Sequence, residues 1–414
     1  KAAKPAAAVA VPEAAAHSAK PASPVLDLAT PPAELARCQR TALLAGALGI
    51  LACIAGALID PAQFYRSYLV GFLFWIGITL GSFSIVMLHH LTGGGWGMVI
   101  RRVLEAASRT LPLMAIAFVP ILLGLPHIYL WARPEAVAQD PLLLHKAPYL
   151  NAKAFAARGV LYFLLLGLLA YLLNRWSREQ DQTGAPELKR RMRLLSGPGL
   201  ALYCLTVTFI AIDWLMSLDP HWFSSIYGIY VIGGQGLAAL AFVILVARWL
   251  ERRPPLAGVI RPHHFGDYGN LMLAFVMLWA YFSVSQLIII WSGDLPEEIP
   301  WYLLRLRGEW GWVALALVLL HCALPFVLFL SRTVKTTPRL LAVVALIVLV
   351  MRWFDLFWQA GPTFRPDHVR LHWLDLAALL ALGGPWVALF ARELGRRALL
   401  PYKDSALAEA IAHE

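Results

Sequence analysis

Hydrophobic and polar positions alternate along this chain in long blocks. Mainly apolar runs recur ten times, and each is bounded by charged residues or by proline and glycine. An α-helix of about 20 such residues crosses the hydrocarbon core of a bilayer. The runs cover residues 41–59, 67–90, 111–131, 157–174, 198–218, 226–248, 270–292, 310–330, 339–360 and 373–391. The pattern predicts an all-α integral membrane protein with about ten transmembrane helices.

The same pattern divides the chain into one large domain and two tails. Residues 37–400 hold all ten runs, and residues 401–414 form a short tail after them. Residues 1–36 are rich in alanine and proline, a composition that is expected to be disordered on its own.

Composition agrees with the membrane class. The 414 residues are 59% hydrophobic and 14% charged, and the mean hydropathy is +0.65. Soluble domains are about half apolar and about a quarter charged. The net charge of +10 alone would fit a nucleic-acid partner, but the basic residues are dispersed among short loops. No nucleic-acid partner is therefore expected.

The distribution of basic residues predicts the orientation. With ten spans, 25 of the 35 Lys and Arg residues lie on the side that carries both termini, nine lie on the other side, and Arg352 lies within a run. Cytoplasmic loops carry the excess of Lys and Arg in membrane proteins. Both termini are thus predicted to be cytoplasmic.

Glycines recur in the second and sixth runs at spacings that suit helix contacts. Small residues let helix backbones approach closely in lipid. The shared pattern fits a repeat of two helical bundles, although ordinary helix packing gives similar spacings. The glycines are Gly71, Gly77 and Gly81 in the second run, and Gly228, Gly233, Gly234 and Gly236 in the sixth.

The cysteines and histidines argue against a cofactor bound by this chain. Cys38, Cys53, Cys204 and Cys322 stand singly, without the motifs of covalent haem, structural zinc or an iron–sulfur cluster. A b-type haem takes axial ligands, usually histidines, from facing helices, and only His321 lies deep in a run. Redox cofactors are expected in partner subunits.

Several polar side chains lie where hydrocarbon would surround an isolated helix. A charged residue at such a depth is costly, by about 3 kcal/mol on insertion scales, so it usually faces a bundle interior. Titratable and hydroxyl groups sheltered in this way can form a transmembrane proton relay. The relay candidates are His89, His90, Asp213, Gln235, Ser283, Ser285, Gln286, His321, Arg352, Asp355 and Asp375, with His372 beside the last.

Each candidate also has a structural interpretation. Arg352 and Asp355 are three residues apart, so they can neutralise each other on one helix face. His89 and His90 lie near the membrane interface, where solvated histidine is ordinary. Ser283, Ser285 and Gln286 can serve as interhelical hydrogen-bonding groups.

Two loop segments carry further patterns. Residues 294–307 place acidic residues before aromatic and basic ones, which indicates either an interfacial segment that docks a partner or an ordinary solvated loop. Residues 98–109 alternate apolar and charged positions, which predicts an amphipathic helix on the cytoplasmic surface.

Three stretches resemble one protein family. They are GSFSIVMLHHLTGGGWGMVIRRVLEAASRTLP (Gly81–Pro112), IDWLMSLDPHWFSSIYG (Ile212–Gly228) and LAFVMLWAYFSVSQLIIIWSGDLPEEIPWYLLRLRGEWGW (Leu273–Trp312). They are similar to the F subunit of bacterial alternative complex III, a quinol:cytochrome c (or other acceptor) oxidoreductase. The resemblance covers the second to eighth runs and is weak in the amino-terminal tail and after Arg332.

The resemblance implies a ten-span fold of the polysulfide-reductase membrane-subunit type (NrfD-like), with two four-helix bundles and peripheral helices, in the cytoplasmic (inner) membrane of a bacterium. The partners it implies are a sister ten-span subunit that oxidises quinol, an iron–sulfur protein, multihaem cytochrome c subunits, small membrane subunits and lipids. Haem c and iron–sulfur clusters would belong to those partners, and a bound quinone is possible in principle. The polar residues matching the family motifs are His89, His90, Asp213, Ser283, Ser285 and Gln286.

Four functions follow as hypotheses. The first is a subunit of a quinol oxidoreductase that provides a proton relay and structural support beside the quinol-oxidising subunit. The second is a subunit that binds quinone directly, with Asp213 or His89 accepting the quinol proton. The third is a secondary transporter, although its proline-interrupted helices do not match between two halves. The fourth is a passive scaffold.

Overall fold

The computed structural model describes residues 32–254, residues 256–404 and residue 407. Regular secondary structure in these residues is helical throughout. Ten helices are long and apolar enough to cross a membrane, which confirms the all-α, multi-pass prediction. They are α1 (Glu34–Ile59), α2 (Pro61–Thr92), α3 (Gly95–Leu123), α4 (Ala152–Thr183), α5 (Pro186–Leu218), α6 (Tyr227–Leu250), α7 (Pro262–Gly293), α8 (Gly308–Leu330), α9 (Pro338–Phe364) and α10 (Trp373–Gly395).

Local sequence signals set where these helices begin and end. The carboxylate of Asp60 accepts a hydrogen bond from the Gln63 amide at 3.0 Å, and Pro61 starts α2 without needing a donor. Asn151 caps α4 in the same way through the Ala154 amide at 2.9 Å. Gly184 ends α4 in the left-handed conformation, with φ of 69°. The predicted run 157–174 is thus the core of a much longer helix.

The third span departs from its predicted limits. It begins at Gly95 and ends at Leu123, whereas the apolar run covered residues 111–131. Pro112, Pro120 and Pro126 break the backbone hydrogen bonding, because each lacks an amide hydrogen. The segment therefore divides into helices Gly95–Ser108, Leu111–Ala117, Val119–Leu123 and Leu125–Ile128.

Helices α2 and α6 lie at the centre of the molecule. Helix α2 packs against α3, α5, α6 and α10, and α6 packs against α2, α5, α7 and α9. A Cβ added at Gly81 would lie 2.1 Å from the carbonyl oxygen of Gln235, so glycine is what permits this α2–α6 contact. Helix α1 lies outside and packs on α10, where Gly46 meets Gly384.

The ends of the helices define two sides of the molecule. We call the side where α1 begins and α10 ends the first side, and the other side the second side. Arg397, just after α10, contacts Glu105 of α3 on the first side. Thr363, at the end of α9, contacts Asp219, which follows α5, on the second side.

The two tails are only partly covered. Of the predicted amino-terminal tail, residues 1–31 lie outside the described residues, and α1 already begins at Glu34. In the carboxy-terminal segment, Asp404 is buried against α3 and α5.

Candidate functional site

The ion pair of α9 is the centre of a buried polar cluster. Asp355 is fully buried and pairs with Arg352, one helical turn before it. Asp355 also accepts hydrogen bonds from the Tyr230 hydroxyl at 2.6 Å and from the Trp279 indole nitrogen at 3.2 Å. Charge neutralisation within one helix face is therefore present, but two other helices contribute to the cluster.

A glycine of α6 makes room for the arginine. A Cβ added at Gly234 would lie 2.3 Å from the guanidinium carbon of Arg352. Any side chain at this position would displace the guanidinium group from its place beside Asp355. Gly234 belongs to the predicted small-residue pattern, and its specific role here is to accommodate a buried charge.

Hydrogen bonds continue from this cluster toward the second side. Gln359, one turn after Asp355, donates through its amide nitrogen to the Tyr230 hydroxyl at 3.4 Å. The Tyr227 hydroxyl donates to the Gln359 side-chain oxygen at 2.9 Å. The main-chain oxygen of Gln359 accepts from Arg305 at 2.6 Å. Polar contacts thus extend along a single face of α9.

Arg305 connects these contacts to the surface. It lies on a short helix, Ile299–Leu306, and its guanidinium donates to Asp219 at 2.9 Å and stacks on Trp301 at 3.8 Å. Burial lowers the pKa of Arg305, and the Asp219 carboxylate opposes this change. The Asp219 side chain is 22% exposed and lines a groove of about 640 Å³. The mouth of the polar contacts therefore faces the second side.

Residues 294–307, predicted as either a partner-docking segment or a solvated loop, include this short helix. Trp301 stacks on Trp222 at 4.4 Å, and Trp301, Tyr302 and Arg305 are buried within the chain itself. Asp294 and Glu297 are exposed. Trp301, Tyr302 and Arg305 are thus part of the fold, whereas Asp294, Glu297 and Arg307 face outward.

His321 lies beside the Asp355 cluster, away from the mouth at Asp219. It is fully buried in a π-helical turn, Leu317–Ala323, and packs edge-to-face on the Trp279 ring at 4.6 Å. Neither ring nitrogen has a hydrogen-bond partner among the described residues. Short π-helical turns occur often at functional sites. The shared neighbour Trp279 places His321 beside the Asp355 cluster without a direct hydrogen bond.

Asp213 forms a separate cluster between α4 and α5. It is fully buried and accepts two hydrogen bonds from Arg158, at 2.8 Å and 3.1 Å, and one from the Tyr162 hydroxyl at 2.7 Å. The Arg158 side chain is 18% exposed and stacks on the Tyr149 ring. Asp213 therefore reaches the second side through a single arginine, which the sequence analysis did not identify as its partner.

Other relay candidates lie apart from both clusters. Gln235 accepts from the Tyr203 hydroxyl at 2.7 Å, which joins α6 to α5. Gln286 donates to the Tyr302 hydroxyl at 3.3 Å. Ser283 and Ser285 are half-buried on α7.

Asp375 has a structural place at the start of α10. Its carboxylate accepts from the Ser67 hydroxyl at 2.5 Å and from the His372 amide at 2.8 Å. The second contact belongs to the cap of the helix, together with the bond that the His372 ring accepts from Leu374.

The paired histidines lie near the first side. His89 is buried and packs edge-to-face on Trp96 at 5.3 Å, while His90 is half-buried. The interpretation of both as solvated histidines is wrong for His89. Nδ1 of His89 and Nε2 of His90 have no hydrogen-bond partner among the described residues.

The helix predicted on the cytoplasmic surface is instead buried. Glu105 accepts from Arg101 at 2.9 Å, from Arg102 at 2.6 Å and from Ser177 of α4 at 2.7 Å. Asp404 accepts from Arg101 at 3.2 Å, which ties the carboxy-terminal segment to α3. The charged face of this helix, predicted to contact water, is covered by other parts of the chain and forms an ionic network.

Comparisons with known proteins add no family assignment. No protein-family model matches this chain, and no curated protein is significantly similar to it. Within the described residues, no group of three or more His, Cys, Asp or Glu side chains is placed to hold a metal ion.

Proposed function

We propose that this chain is the F-type integral membrane subunit of a quinol:electron acceptor oxidoreductase of the alternative complex III kind, and that it provides a proton relay. One observation carries the relay: a row of hydrogen bonds runs from Asp219 at the second side to Arg305, from Arg305 to the main-chain oxygen of Gln359, and from the Gln359 side chain through Tyr230 to the fully buried Asp355. Assignment to this complex rests on the resemblance of the three sequence stretches.

The depth of this route supports conduction over simple stabilisation. Thr363 at the mouth and Asp355 are eight residues apart on α9, which corresponds to about 12 Å along a helix. A buried ion pair needs only its own two members and their immediate donors. Polar side chains continued over this length within an apolar bundle are typical of ion and proton pathways.

Each side chain takes a role in this mechanism. The Tyr230 hydroxyl transfers its proton to Asp355, and its oxygen takes one in turn from a water molecule that enters through the mouth at Asp219 and Thr363. Arg305 and Gln359 hold the polar route in place and exchange no proton themselves. Gln359 orients the Tyr230 hydroxyl, because its amide nitrogen donates to that oxygen. Arg352 balances the charge of the Asp355 carboxylate. His321 is the next titratable group inward, beside Trp279.

The finer architecture belongs to the same proposal. Helices α2–α5 and α6–α9 would form two four-helix bundles, with α1 and α10 at the periphery. The first side and both termini would face the cytoplasm, so the Asp219 mouth would open to the periplasm. Quinol oxidation would take place in the sister subunit, with electrons passing to iron–sulfur and haem c groups of the partners.

Replacement of one hydroxyl tests the relay. In the intact complex reconstituted into vesicles, Tyr230→Phe should lower proton translocation per electron by at least about tenfold, because it removes a proton-transfer group. Quinol oxidation should change by less than about twofold, since no redox group is touched.

Tyr227→Phe is the matched control. It also removes a buried hydroxyl that contacts Gln359, but that hydroxyl is a side branch of the route. Translocation should survive it. Equal loss of translocation and quinol oxidation in Tyr230→Phe would favour direct quinone chemistry, and no loss of either would favour a scaffold. Purification as a haem-free homodimer that transports a solute would favour the transporter.

A further inference from the structure

A groove of about 830 Å³ opens between the second half of α3, α4 and the end of α10. Its volume lies in the range of about 300–1,000 Å³ that small-molecule sites occupy. One end is lined by arginines, Asn174 and Glu393, and the rest of the wall is mainly apolar. None of the polar contacts of the Asp355 or Asp213 clusters falls in it.

The polar end holds an arginine that is fixed in place. Arg109 donates through Nε to the Asn174 side-chain oxygen at 2.9 Å and through Nη1 to Glu393 at 3.2 Å. Its remaining nitrogen, Nη2, is buried and has no partner among the described residues. A guanidinium held by two of its nitrogens keeps its positive charge in a fixed position at this end of the groove.

Two further arginines stand at the same end. Arg175 and Arg178 of α4 are exposed, and neither forms an ion pair with any described residue. Together with Arg109 they give three cations against the single carboxylate of Glu393, which Arg396 also contacts at 2.8 Å. The polar end therefore carries an excess of positive charge.

The pKa of the neighbouring Arg397 reflects the same positive charge. Arg397 follows α10 and contacts the Asn174 main chain at 2.9 Å. Burial lowers the pKa of Arg397 to about 10; Glu105 opposes this change, whereas Arg109 and other arginines of the cluster add to it. Arg397 stays protonated at neutral pH, so the positive charge persists.

The apolar wall contains a gap at a glycine. No atom lies within 4 Å of the position that a Cβ at Gly167 would take. Val160 and Leu164 on the same helix are exposed, as is Val119 across the groove. The wall from Val160 to Arg175 extends about 22 Å along α4, which exceeds the ~15 Å of one leaflet of the hydrocarbon core.

We propose that this groove binds a diacyl phospholipid with an anionic headgroup. Its phosphate would contact Arg175 and Arg178 beside the fixed charge of Arg109, and an acyl chain would lie over Gly167. Arginines bind phosphate through short, charge-assisted hydrogen bonds, and basic pockets between membrane helices bind such headgroups. A quinone head, which is neutral, offers nothing to balance the three cations.

The headgroup contacts can be tested without disturbing the fold. The full chain is extracted from its native membranes in mild detergent with the partners it retains, and the bound lipids are quantified by mass spectrometry. Arg175→Gln with Arg178→Gln should lower the retained anionic phospholipid at least about fivefold, because it removes two phosphate contacts. Arg190→Gln with Arg193→Gln, an equal charge loss on exposed positions of α5, should leave it unchanged.

The acyl-chain contact has its own matched pair. Gly167→Phe fills the gap and should displace the lipid, whereas Leu168→Phe on the neighbouring exposed position should not. Loss of a bound quinone from the arginine variant with phospholipid unchanged would overturn the proposal in favour of a quinone site. Equal retention of zwitterionic and anionic phospholipid by the unmodified protein would also overturn it. None of these readouts depends on proton translocation.

Discussion

Two buried carboxylates of this protein share their chemistry and differ in their connections. Asp213 and Asp355 are both fully buried, and each is held by an arginine and a tyrosine hydroxyl. Among the described residues, the hydrogen bonds beyond Asp213 lead through Arg158 to the Tyr149 carbonyl oxygen, near the second side. Beyond Asp355 the hydrogen bonds continue through Gln359 and Arg305 over about two turns of helix.

The difference separates charge stabilisation from conduction. An arginine and a hydroxyl are enough to keep a carboxylate inside a bundle, and the Asp213 cluster has that minimum. The Asp355 cluster has the same minimum and an additional row of polar groups that the ion pair itself does not need. In the sequence, Asp213 and the Arg352–Asp355 pair are both relay candidates, and two opposite charges on one helix face can simply neutralise each other. The hydrogen bonds that continue beyond Asp355 favour the pair as part of a route.

The largest expected effect is on stability. It differs between the two carboxylates because their arginine partners differ in burial. Asp355→Ala leaves Arg352 buried without its carboxylate, and its side chain is only 3% exposed. We expect the free energy of unfolding to fall by about 3–5 kcal/mol, the usual result of breaking a buried pair. Asp213→Ala should lower it by only about 1–3 kcal/mol, since Arg158 keeps its bond to the Tyr149 carbonyl oxygen at 2.9 Å.

Reversible denaturation in mixed detergent measures both values. The double variant Arg352→Met with Asp355→Leu should recover most of the loss, because a buried pair can be replaced by apolar groups of similar volume. Equal destabilisation by the two alanine variants would contradict the comparison.

The second effect is on proton movement. Asp355→Asn should reduce proton translocation per electron at least about tenfold, whereas Asp213→Asn should reduce it less than about twofold. Asparagine keeps the shape and one acceptor oxygen at each position, so the variants differ mainly in the ability to take a proton. The measurement is acidification or alkalinisation in reconstituted vesicles during quinol oxidation. A larger effect of Asp213→Asn would place the route through α4 and α5 instead.

Much of the fold is predictable from hydropathy, and the clusters show where that stops. Ten apolar runs must become helices because unpaired backbone groups are excluded from hydrocarbon. Their limits depend on local signals such as Asn151 and the prolines of α3, which shift boundaries that composition alone leaves open. Pairings between distant residues, such as Arg158 with Asp213, follow from helix packing and carry no local signal.

The buried ionic network shows a second limit. A charged face on a helix has the same pattern whether water or other charged groups cover it. Glu105 and its two arginines therefore predicted a surface helix. The sequence pattern does not show that Ser177 of α4 and Asp404 cover this charged face. Hydrophobic periodicity identifies which face is polar, and tertiary contacts determine what that face meets.

The smallest effect concerns Gly234, which contacts the Asp355 cluster through Arg352. Gly234→Ala places a methyl group 2.3 Å from the guanidinium carbon, so the arginine must move away from the carboxylate. We expect a loss of about 1–3 kcal/mol, as for overpacking in a well-filled core. Gly77→Ala is the matched control, because its nearest contact, the Gln235 side chain, would lie at an ordinary 3.7 Å. Both glycines belong to the pattern shared by α2 and α6, so a general need for small residues at helix contacts would make the two variants equal. A loss confined to Gly234→Ala, accompanied by slower proton translocation, would show that this glycine serves the ion pair rather than helix packing alone.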